Sequence, residues 1–181
     1  MTHVFEHASS GRAKCRGCDQ PIGKGELRFG ERQPNAFGEG EMTLWFHPWC
    51  AAYKRPEPFL EALDAAGAAL LREMKDAERM RAAAEFGITH RRVPRVNGAG
   101  RAPTGRARCR HCRELIEKDS WRIGLVFFEE YRFEPSGYIH AACAAPYLES
   151  IDILDRVRHF SGDLSDADLR ALKKAMKHRA S

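Results

Sequence analysis

The sequence predicts two small α+β modules in tandem, each with a short antiparallel sheet and a helix. The first observation behind this fold class is an internal repeat, in which GRAKCRGC at residues 11–18 is answered by GRARCRHC at residues 105–112. The second is that WFHPWC at residues 45–50 is answered by YIHAAC at residues 138–143. A duplicated unit with one length change in a loop accounts for both matches.

All six cysteines lie inside the repeats, three in each. Each repeat has a C-x2-C pair followed, after 28 residues in the first copy and 27 in the second, by an H-x2-C pair. Three thiolates and one imidazole suit a tetrahedral zinc ion. Because a module this small buries too little apolar surface to fold alone, the metal is expected to supply much of the folding free energy. The predicted ligands of the two zinc ions are Cys15, Cys18, His47 and Cys50 in the first module and Cys109, Cys112, His140 and Cys143 in the second.

Three other roles for the cysteines compete with zinc. Disulfides would leave one cysteine over in each repeat, and a redox C-x2-C pair would not explain the recurring H-x2-C pair. An iron–sulfur cluster usually takes four cysteines, although histidine replaces some of them in certain clusters. His111 lies inside the second C-x2-C pair where Gly17 lies in the first, so His111 is interpreted as a surface residue.

The charge balance favours a polyanionic partner without identifying it. The 181 residues carry a formal net charge of +5, and a basic excess attracts anions over a distance. The polar N-terminal segment has no secretion signal, and no run approaches the ~18 apolar residues of a membrane span. The expected location is therefore intracellular, at the nucleoid in the cytoplasm if the protein is bacterial and in the nucleus if it is eukaryotic.

The two modules are expected to be joined by a long helix and a basic linker. Pro56 and Pro58 open a segment with apolar residues at helical spacing, and Gly87 closes it. The apolar stripe would pack on a module or on a second copy, or would recruit a partner. The next segment is rich in Gly, Pro and Arg, which predicts a flexible linker. The predicted division is residues 1–54 for the first module, 55–86 for the amphipathic helix, 87–104 for the basic linker, 105–148 for the second module and 149–181 for a C-terminal helical segment.

Within each module, two strand-like runs precede a helix that starts near the last cysteine. The predicted strands span residues 26–32 and 43–47 in the first module, and residues 120–133 and 138–140 in the second. In the C-terminal segment, the run from Ser165 to Asp168 resembles a capping box at the start of an amphipathic helix.

Both repeats resemble the PARP-type zinc finger, the DNA-break-sensing module of poly(ADP-ribose) polymerase and of a eukaryotic DNA ligase. The shared features are the two ligand pairs, an arginine three positions before the first cysteine and an arginine near the start of the next strand. The first module also has Trp45-Phe46 before its histidine, where the second has Tyr138-Ile139. The resemblance covers both modules and reaches the C-terminal segment, but it does not cover residues 56–86.

The resemblance implies sequence-independent recognition of DNA strand breaks, nicks or gaps in DNA repair, with a repair enzyme such as a ligase as partner. Four protein ligands would close each zinc site, so no catalytic centre is expected. A zinc-stabilised adaptor that recruits a repair enzyme through its helical segment, and an RNA or single-strand binder, remain open. The implied phosphate contacts are Arg12, Lys14, Arg16, Arg28, Arg106, Arg108, Arg110 and Arg122, and the implied stacking residues are Phe37 and Met42 in the first module and Tyr131 and Phe133 in the second.

Overall fold

A computed structural model describes residues 2–35 and 38–177 of the chain. The polypeptide divides into two compact units, of which the first ends at Thr89 and the second begins at His90. Within the described residues, each unit contains one repeat and forms its own three-stranded sheet. The predicted class of small α+β modules in tandem is therefore confirmed. Phe37, one of the implied stacking residues, lies outside the described residues.

The first unit is an antiparallel sheet accompanied by short helices. Its strands pair in the order β1-β2-β3. Its elements are β1 (Val4–His7), β2 (Leu27–Pro34), β3 (Glu41–Phe46), α1 (Pro48–Lys54), α2 (Pro56–Asp64), α3 (Ala68–Glu73) and α4 (Ala77–Thr89).

The second unit repeats the sheet and carries a different set of helices. Its strands pair in the order β4-β5-β6, again antiparallel. Its elements are β4 (Val96–Arg101), β5 (Trp121–Glu129), β6 (Arg132–His140), α5 (Ala144–Leu148), α6 (Leu154–Phe160) and α7 (Asp166–Lys177), with single-turn 3-10 helices at Val93–Arg95 and Ala141–Cys143.

The core of the first unit is an aromatic cluster that joins the sheet to α2. Phe29 and Phe46 face inward from β2 and β3 and are fully buried. Phe59 of α2 is also fully buried, with ring centroids 5.9 Å from Phe29 and 5.5 Å from Phe5. Both contacts are edge-on, an arrangement that aromatic rings favour. Since this cluster crosses residue 54, the first unit includes residues that the sequence had assigned to a separate helix.

The prediction of one long helix over residues 55–86 is wrong, because the segment forms α2, α3 and α4. The chain turns before Gly67, which precedes α3 with an extended backbone, and again at Met74. Glycine in a helix interior costs about 1 kcal/mol relative to alanine. The breaks allow α2 and α4 to pack on each other and on α1, which a single straight helix would not permit.

The basic linker predicted over residues 87–104 is also mostly regular structure. Val93 and Val96 are fully buried, and β4 pairs with β5 along one edge of the second sheet. Gly98 has a φ of +89°, and a Cβ there would lie 2.9 Å from the carbonyl oxygen of Phe160. The glycines that suggested flexibility therefore permit close packing of the strand on α6.

A hairpin replaces the single long strand predicted over residues 120–133. Strands β5 and β6 pair up to Glu129 and Arg132, so Glu130 and Tyr131 form a two-residue turn. Both turn residues have positive φ, 47° and 65°. A turn of this kind usually contains asparagine or glycine. Neither residue type occurs at positions 130 and 131, which explains why the turn was missed.

The capping box at the start of α7 is confirmed. The backbone N–H of Asp168 donates to the Ser165 hydroxyl at 3.1 Å, and the backbone N–H of Ser165 donates to the Asp168 carboxylate at the same distance. Leu169, Leu172 and Met176 form the buried face of the helix. In the predicted helical segment over residues 149–181, the first helix is α6, which begins at Leu154.

Candidate metal centres and nucleic-acid interface

The first predicted ligand set comes together at the junction of the C-x2-C turn, β3 and α1. The donor atoms of Cys15, Cys18, His47 and Cys50 all lie within 4.8 Å of one another. The Nδ1 atom of His47 is 3.4 Å from Cys18 Sγ and 4.0 Å from Cys50 Sγ. Pro48 begins α1 and places Cys50 in its first turn, so the helix delivers the fourth ligand.

The second set has the same arrangement. The donor atoms of Cys109, Cys112, His140 and Cys143 also lie within 4.8 Å of one another. The Nδ1 atom of His140 is 3.4 Å from Cys112 Sγ and 3.9 Å from Cys143 Sγ. His111 is exposed and its ring contacts Tyr147. Among the described residues, the two Cys3His groups are the sets that could hold a metal ion, and His111 belongs to neither.

The spacing of the donor atoms fits zinc. Zinc–sulfur bonds of about 2.3 Å and zinc–nitrogen bonds of about 2.0–2.1 Å place neighbouring donors of a tetrahedron about 3.5–3.8 Å apart. The distances from the histidine nitrogen to the sulfurs, 3.4–4.0 Å, agree with this tetrahedron. Two zinc ions per chain are therefore compatible with the two groups, and each ion would connect the C-x2-C turn to the end of its sheet.

The close spacing of the thiols couples their ionisation in each set. Hydrogen bonds from Cys18 and Cys50 lower the pKa of the Cys15 thiol to about 3. The hydrogen bond with Cys15 in turn raises the pKa of Cys50 far above its ordinary value. In the second set, burial and then the charge of Cys109 raise the pKa of Cys143 to about 12. One thiolate thus suppresses ionisation of its neighbours, and a divalent ion removes that conflict.

Backbone groups support the two sets in the same way. The backbone N–H groups of Gly17 and His47 point at Cys15 Sγ, each at 3.3 Å. Those of His111 and His140 point at Cys109 Sγ, each at 3.4 Å. Donors of this kind stabilise a thiolate and orient it toward the metal. The repeat therefore preserves the surroundings of the first cysteine as well as the ligands.

Arg28 is the most deeply buried of the predicted phosphate contacts, at 7% exposed. Its guanidinium lies over the ring of Trp45, 3.6 Å from the centroid. The Nη2 and Nε groups donate to the same oxygen of Glu6, at 2.6 and 3.2 Å. The ring of Trp45 lies against Gly30, where a Cβ would approach it to 2.7 Å. The arginine is therefore held between an aromatic ring and a carboxylate.

Arg122 occupies the matching place in the second unit. Its guanidinium lies over the ring of Tyr138, 3.7 Å from the centroid. Tyr138 stands two residues before the ligand His140, as Trp45 stands two residues before His47. The arginine on each central strand and the aromatic ring on the next strand thus recur in both units, and cation–π stacking favours that pairing.

The remaining predicted phosphate contacts surround the two C-x2-C turns. In the second unit, Arg108 donates to the carbonyl of Arg113 at 3.2 Å, and Arg110 donates to the carbonyl of Ser136 at 2.7 Å. Both bonds use backbone carbonyls as acceptors and not carboxylates. All six are exposed at the surface: Arg12, Lys14, Arg16, Arg106, Arg108 and Arg110.

The predicted stacking residues have different surroundings. Met42 is half-buried on β3. Tyr131 is half-buried in the turn between β5 and β6, and Phe133 packs on Phe128 with 5.0 Å between ring centroids. Phe127 of the same hairpin is 37% exposed, more than Tyr131 and Phe133.

Sequence reasoning missed Glu6, the aromatic rings under the two arginines and the exposed Phe127. The repeat of an aromatic residue two positions before each ligand histidine was a signal for the rings. No local signal existed for Glu6, because its partnership with Arg28 follows from strand pairing.

The two four-ligand Cys3His sets, each on its own small sheet, define a tandem zinc-module protein. Residues 6–85 match the family described as the poly(ADP-ribose) polymerase and DNA-ligase zinc-finger region. This region of the first unit is therefore similar to the PARP-type zinc finger. The match continues across α2 and α3 into α4, so the expectation that the resemblance excludes residues 56–86 is wrong. The matched family region is a zinc finger and not a catalytic domain.

Relatives extend the likeness into the second unit. Poly [ADP-ribose] polymerase 1 of Oryza sativa subsp. japonica is 31% identical across 97% of this chain and 17% of its own length. Poly [ADP-ribose] polymerase of Sarcophaga peregrina is 29% identical across 94% of this chain and 19% of its own length. The chain therefore spans less than a fifth of the length of these relatives.

In the described part of the chain, none of the helices has the length and apolar character required to cross a bilayer.

Proposed function

We propose that this chain binds DNA at strand breaks, nicks or gaps through its two zinc-held units and serves in DNA repair without chemistry of its own. The observation that carries the proposal is the arginine stacked on an aromatic ring next to each metal set, Arg28 on Trp45 and Arg122 on Tyr138. A guanidinium keeps its charge at any physiological pH and forms paired hydrogen bonds with phosphate oxygens. Stacking holds each guanidinium in place before a ligand arrives.

The exposed basic residues around each C-x2-C turn add to this electrostatic surface. Each neutralised phosphate releases counterions, so it makes the slope of log K against log salt more negative by about 0.9. Contacts of this kind do not depend on base sequence. A protein that relies on these contacts therefore binds the phosphate backbone of DNA. Another feature of the protein must distinguish broken DNA from intact DNA.

The hairpin of the second unit supplies that feature. Phe127 is exposed there, and Glu129 and Glu130 at the tip repel phosphates. A strand break exposes a terminal base pair whose face an aromatic side chain covers, at about 1–3 kcal/mol per base. Intact duplex offers no such face, so the hairpin favours ends, nicks and gaps over continuous DNA.

The test is a competition assay with nicked, gapped, blunt-ended and intact duplexes of one sequence, followed by fluorescence anisotropy. We expect tighter binding to interrupted DNA, and loss of binding once a chelator removes zinc. Replacing Arg12 with Gln should weaken binding to every duplex, whereas Lys75→Gln, an exposed charge between α3 and α4, serves as the matched control. Equal affinity for nicked and intact DNA would remove the break-sensing claim and leave a general DNA binder.

A second function, recruitment of a repair enzyme, is favoured by α3. None of its residues is buried, and Leu71 is 36% exposed. An exposed leucine on a helix can pack into a hydrophobic groove of a protein partner. Leu71→Ser should leave DNA affinity unchanged and abolish co-purification with a ligase in a defined two-protein mixture if the adaptor function holds.

A further inference from the structure

An open cavity of about 610 Å³ lies beside the metal ligands of the second unit, where it is bordered by the exposed Cys112. Its wall includes the exposed side chains of Leu115 and Pro146 and the smaller side chain of Ala142. Leu115 is 47% exposed, a larger fraction than that of Phe127 in the hairpin. The second unit therefore presents a concave surface with an apolar wall next to its metal ligands.

The backbone around Leu115 is fixed before any ligand arrives. The carbonyl of Glu114 accepts a hydrogen bond from the backbone N–H of Cys109 at 2.8 Å. The carbonyl of Leu115 accepts one from Nε2 of His140 at 3.1 Å. The next residue, Ile116, is fully buried. The exposed leucine therefore belongs to a well-held segment, so a ligand that covers it pays little to order the protein.

The rim of the cavity is acidic. Glu114 and Glu117 line it and are exposed, and within the described residues 90–177 neither carboxylate lies in an ion pair. Arg113 and Lys118 flank them along the chain but do not line the cavity. The three thiolates of the neighbouring ligand set outweigh the charge of a zinc ion, so the loaded metal site is negative as well. This surface repels phosphates and attracts cationic side chains.

The first unit has neutral residues at the positions of the acidic rim. A backbone hydrogen bond from Cys15 to the carbonyl of Gln20 matches the one from Cys109 to Glu114, and this match aligns the two segments. The residues of the first unit at the positions of the leucine and of the two glutamates are Pro21, Gln20 and Gly23.

The residues that follow the ligands differ in size between the two units. Trp49 lies two residues after the ligand histidine of the first unit, where the second unit has Ala142. Tyr53 lies three residues after the last cysteine, where the second unit has Pro146. The rings of Trp49 and Tyr53 lie 5.3 Å apart between centroids. The repeat therefore keeps the metal ligands, while smaller side chains make room at this face of the second unit.

We propose that this cavity is a docking site for a protein segment that carries a large apolar side chain flanked by lysine or arginine. The apolar side chain packs against Leu115, and its basic neighbours meet Glu114 and Glu117. Apolar contact supplies the affinity, and the charges of the rim select the partner. The site is independent of the DNA binding proposed above, because its acidic rim disfavours phosphate.

The test begins with a random peptide library that is selected on the full zinc-loaded chain and counter-selected on Ala142→Trp. This variant places the tryptophan of the first unit in the wall of the cavity. Zinc content and thermal midpoint, measured first, show that each variant keeps its fold. The enriched peptides should share an apolar residue with basic neighbours. Absence of enrichment, or enriched peptides without basic residues, would overturn the proposal.

Fluorescence anisotropy then measures the affinity of one enriched peptide for single-site variants. Leu115→Ser should weaken binding about tenfold or more, because it removes an exposed apolar contact. Leu71→Ser, at an exposed leucine of α3 in the first unit, is the matched control and should leave the affinity unchanged. Replacing both Glu114 and Glu117 with Gln should weaken binding about two- to tenfold and reduce its salt dependence. Wild-type affinity in Leu115→Ser or in the double glutamine variant would contradict the docking site.

NMR identifies what occupies the cavity. The peptide should shift the methyl signals of Leu115 and Ala142 and leave those of Leu71 in place. If a nicked duplex shifts the signals of Leu115, or if they shift with the concentration of the chain alone, then DNA or a second copy occupies this face and the proposal is overturned. Peptide binding by a chain that does not bind DNA refutes the proposed function and leaves the docking site standing. DNA binding without an enriched peptide does the reverse.

Discussion

The two units hold the same two ligand pairs, C-x2-C and H-x2-C, in different surroundings. In the first unit, Cys15 and Cys50 are at most 1% exposed, and the buried amine of Lys54 donates to the carbonyl of Gly17 at 2.6 Å. In the second unit, Cys112 is exposed and borders a cavity of about 610 Å³. Ligand spacing thus selects the metal, whereas the surrounding elements decide how far solvent reaches it.

The residue that covers each C-x2-C turn illustrates this difference. Lys54 lies four residues after Cys50, and Tyr147 lies four residues after Cys143. Burial lowers the pKa of Lys54 to about 8. The hydrogen bond from the amine to the Gly17 carbonyl in the turn offsets part of the cost of burying this group. Tyr147 instead stacks with Arg92 and contacts His111. The residue four positions after the last cysteine therefore closes the first metal site and leaves the second open to one side.

The largest expected effect is loss of a metal ligand. Cys15→Ala should unfold the first unit and lower bound zinc from two equivalents to one, because the apparent free energy of structural zinc binding is about 10–16 kcal/mol. Elemental analysis and amide NMR measure both outcomes. His111→Ala, which removes a histidine inside the other C-x2-C turn, should keep two equivalents; loss of zinc there would mean that His111 is a ligand.

Chelation should remove the two ions in sequence, since access differs while the ligands do not. We expect the NMR signals of residues 105–148 to collapse before those of residues 13–54 during a slow titration with a zinc chelator. The exposed Cys112 and its cavity give the chelator a route that the buried first site denies it. Simultaneous collapse of both units would show that burial does not control release.

Phe59→Ala tests whether α2 belongs to the first unit. Removing a fully buried ring from the aromatic cluster should cost about 3–5 kcal/mol, and hydrogen exchange should show the loss in β1–β3 but not in β4–β6. Leu71→Ala, on the exposed α3, is the matched control and should change stability by about 0.5 kcal/mol or less. An unchanged sheet in Phe59→Ala would restore the predicted boundary at residue 54.

The smallest expected effect is on the capping box of the second unit. Ser165→Ala should cost about 1 kcal/mol of stability in α7 and leave the first unit unchanged. In the folded protein, the hydrogen bond from Ser165 holds the pKa of Asp168 below its ordinary value. The folded pKa is therefore depressed, so its contribution is present above the unfolded pKa and is lost as pH falls. Carboxyl NMR should find the pKa of Asp168 raised in the variant.

Several elements were predictable because their signals are local. The ligand pairs repeat at short spacing, and the run from Ser165 to Asp168 shows its cap within four residues. The two strands predicted in the first unit exist, with shifted ends. The hairpin between β5 and β6 was not predictable, since Glu130 and Tyr131 adopt left-handed conformations that their residue types rarely take.

The edge strands and the helix breaks were missed for a different reason. Strand β1 was not predicted at all, and β4 was hidden in a segment with the composition of a linker. An edge strand gains its hydrogen bonds from a neighbour far along the chain, so its own sequence need not alternate strongly. Apolar spacing likewise predicted helix over residues 55–86 without showing that the segment folds back on α1.

The amino-acid sequence by itself determined the metal chemistry, the duplication and the basic character, because these depend on residue type and on spacing within short segments. Only the tertiary structure decided which side chains surround those groups. Glu6 reaches Arg28, and Gly100 faces Arg122, through strand pairing between distant parts of the chain. The charge of a site and its access to solvent depend on such neighbours. Two nearly identical motifs therefore form one buried metal site and one metal site that is open to solvent on one side.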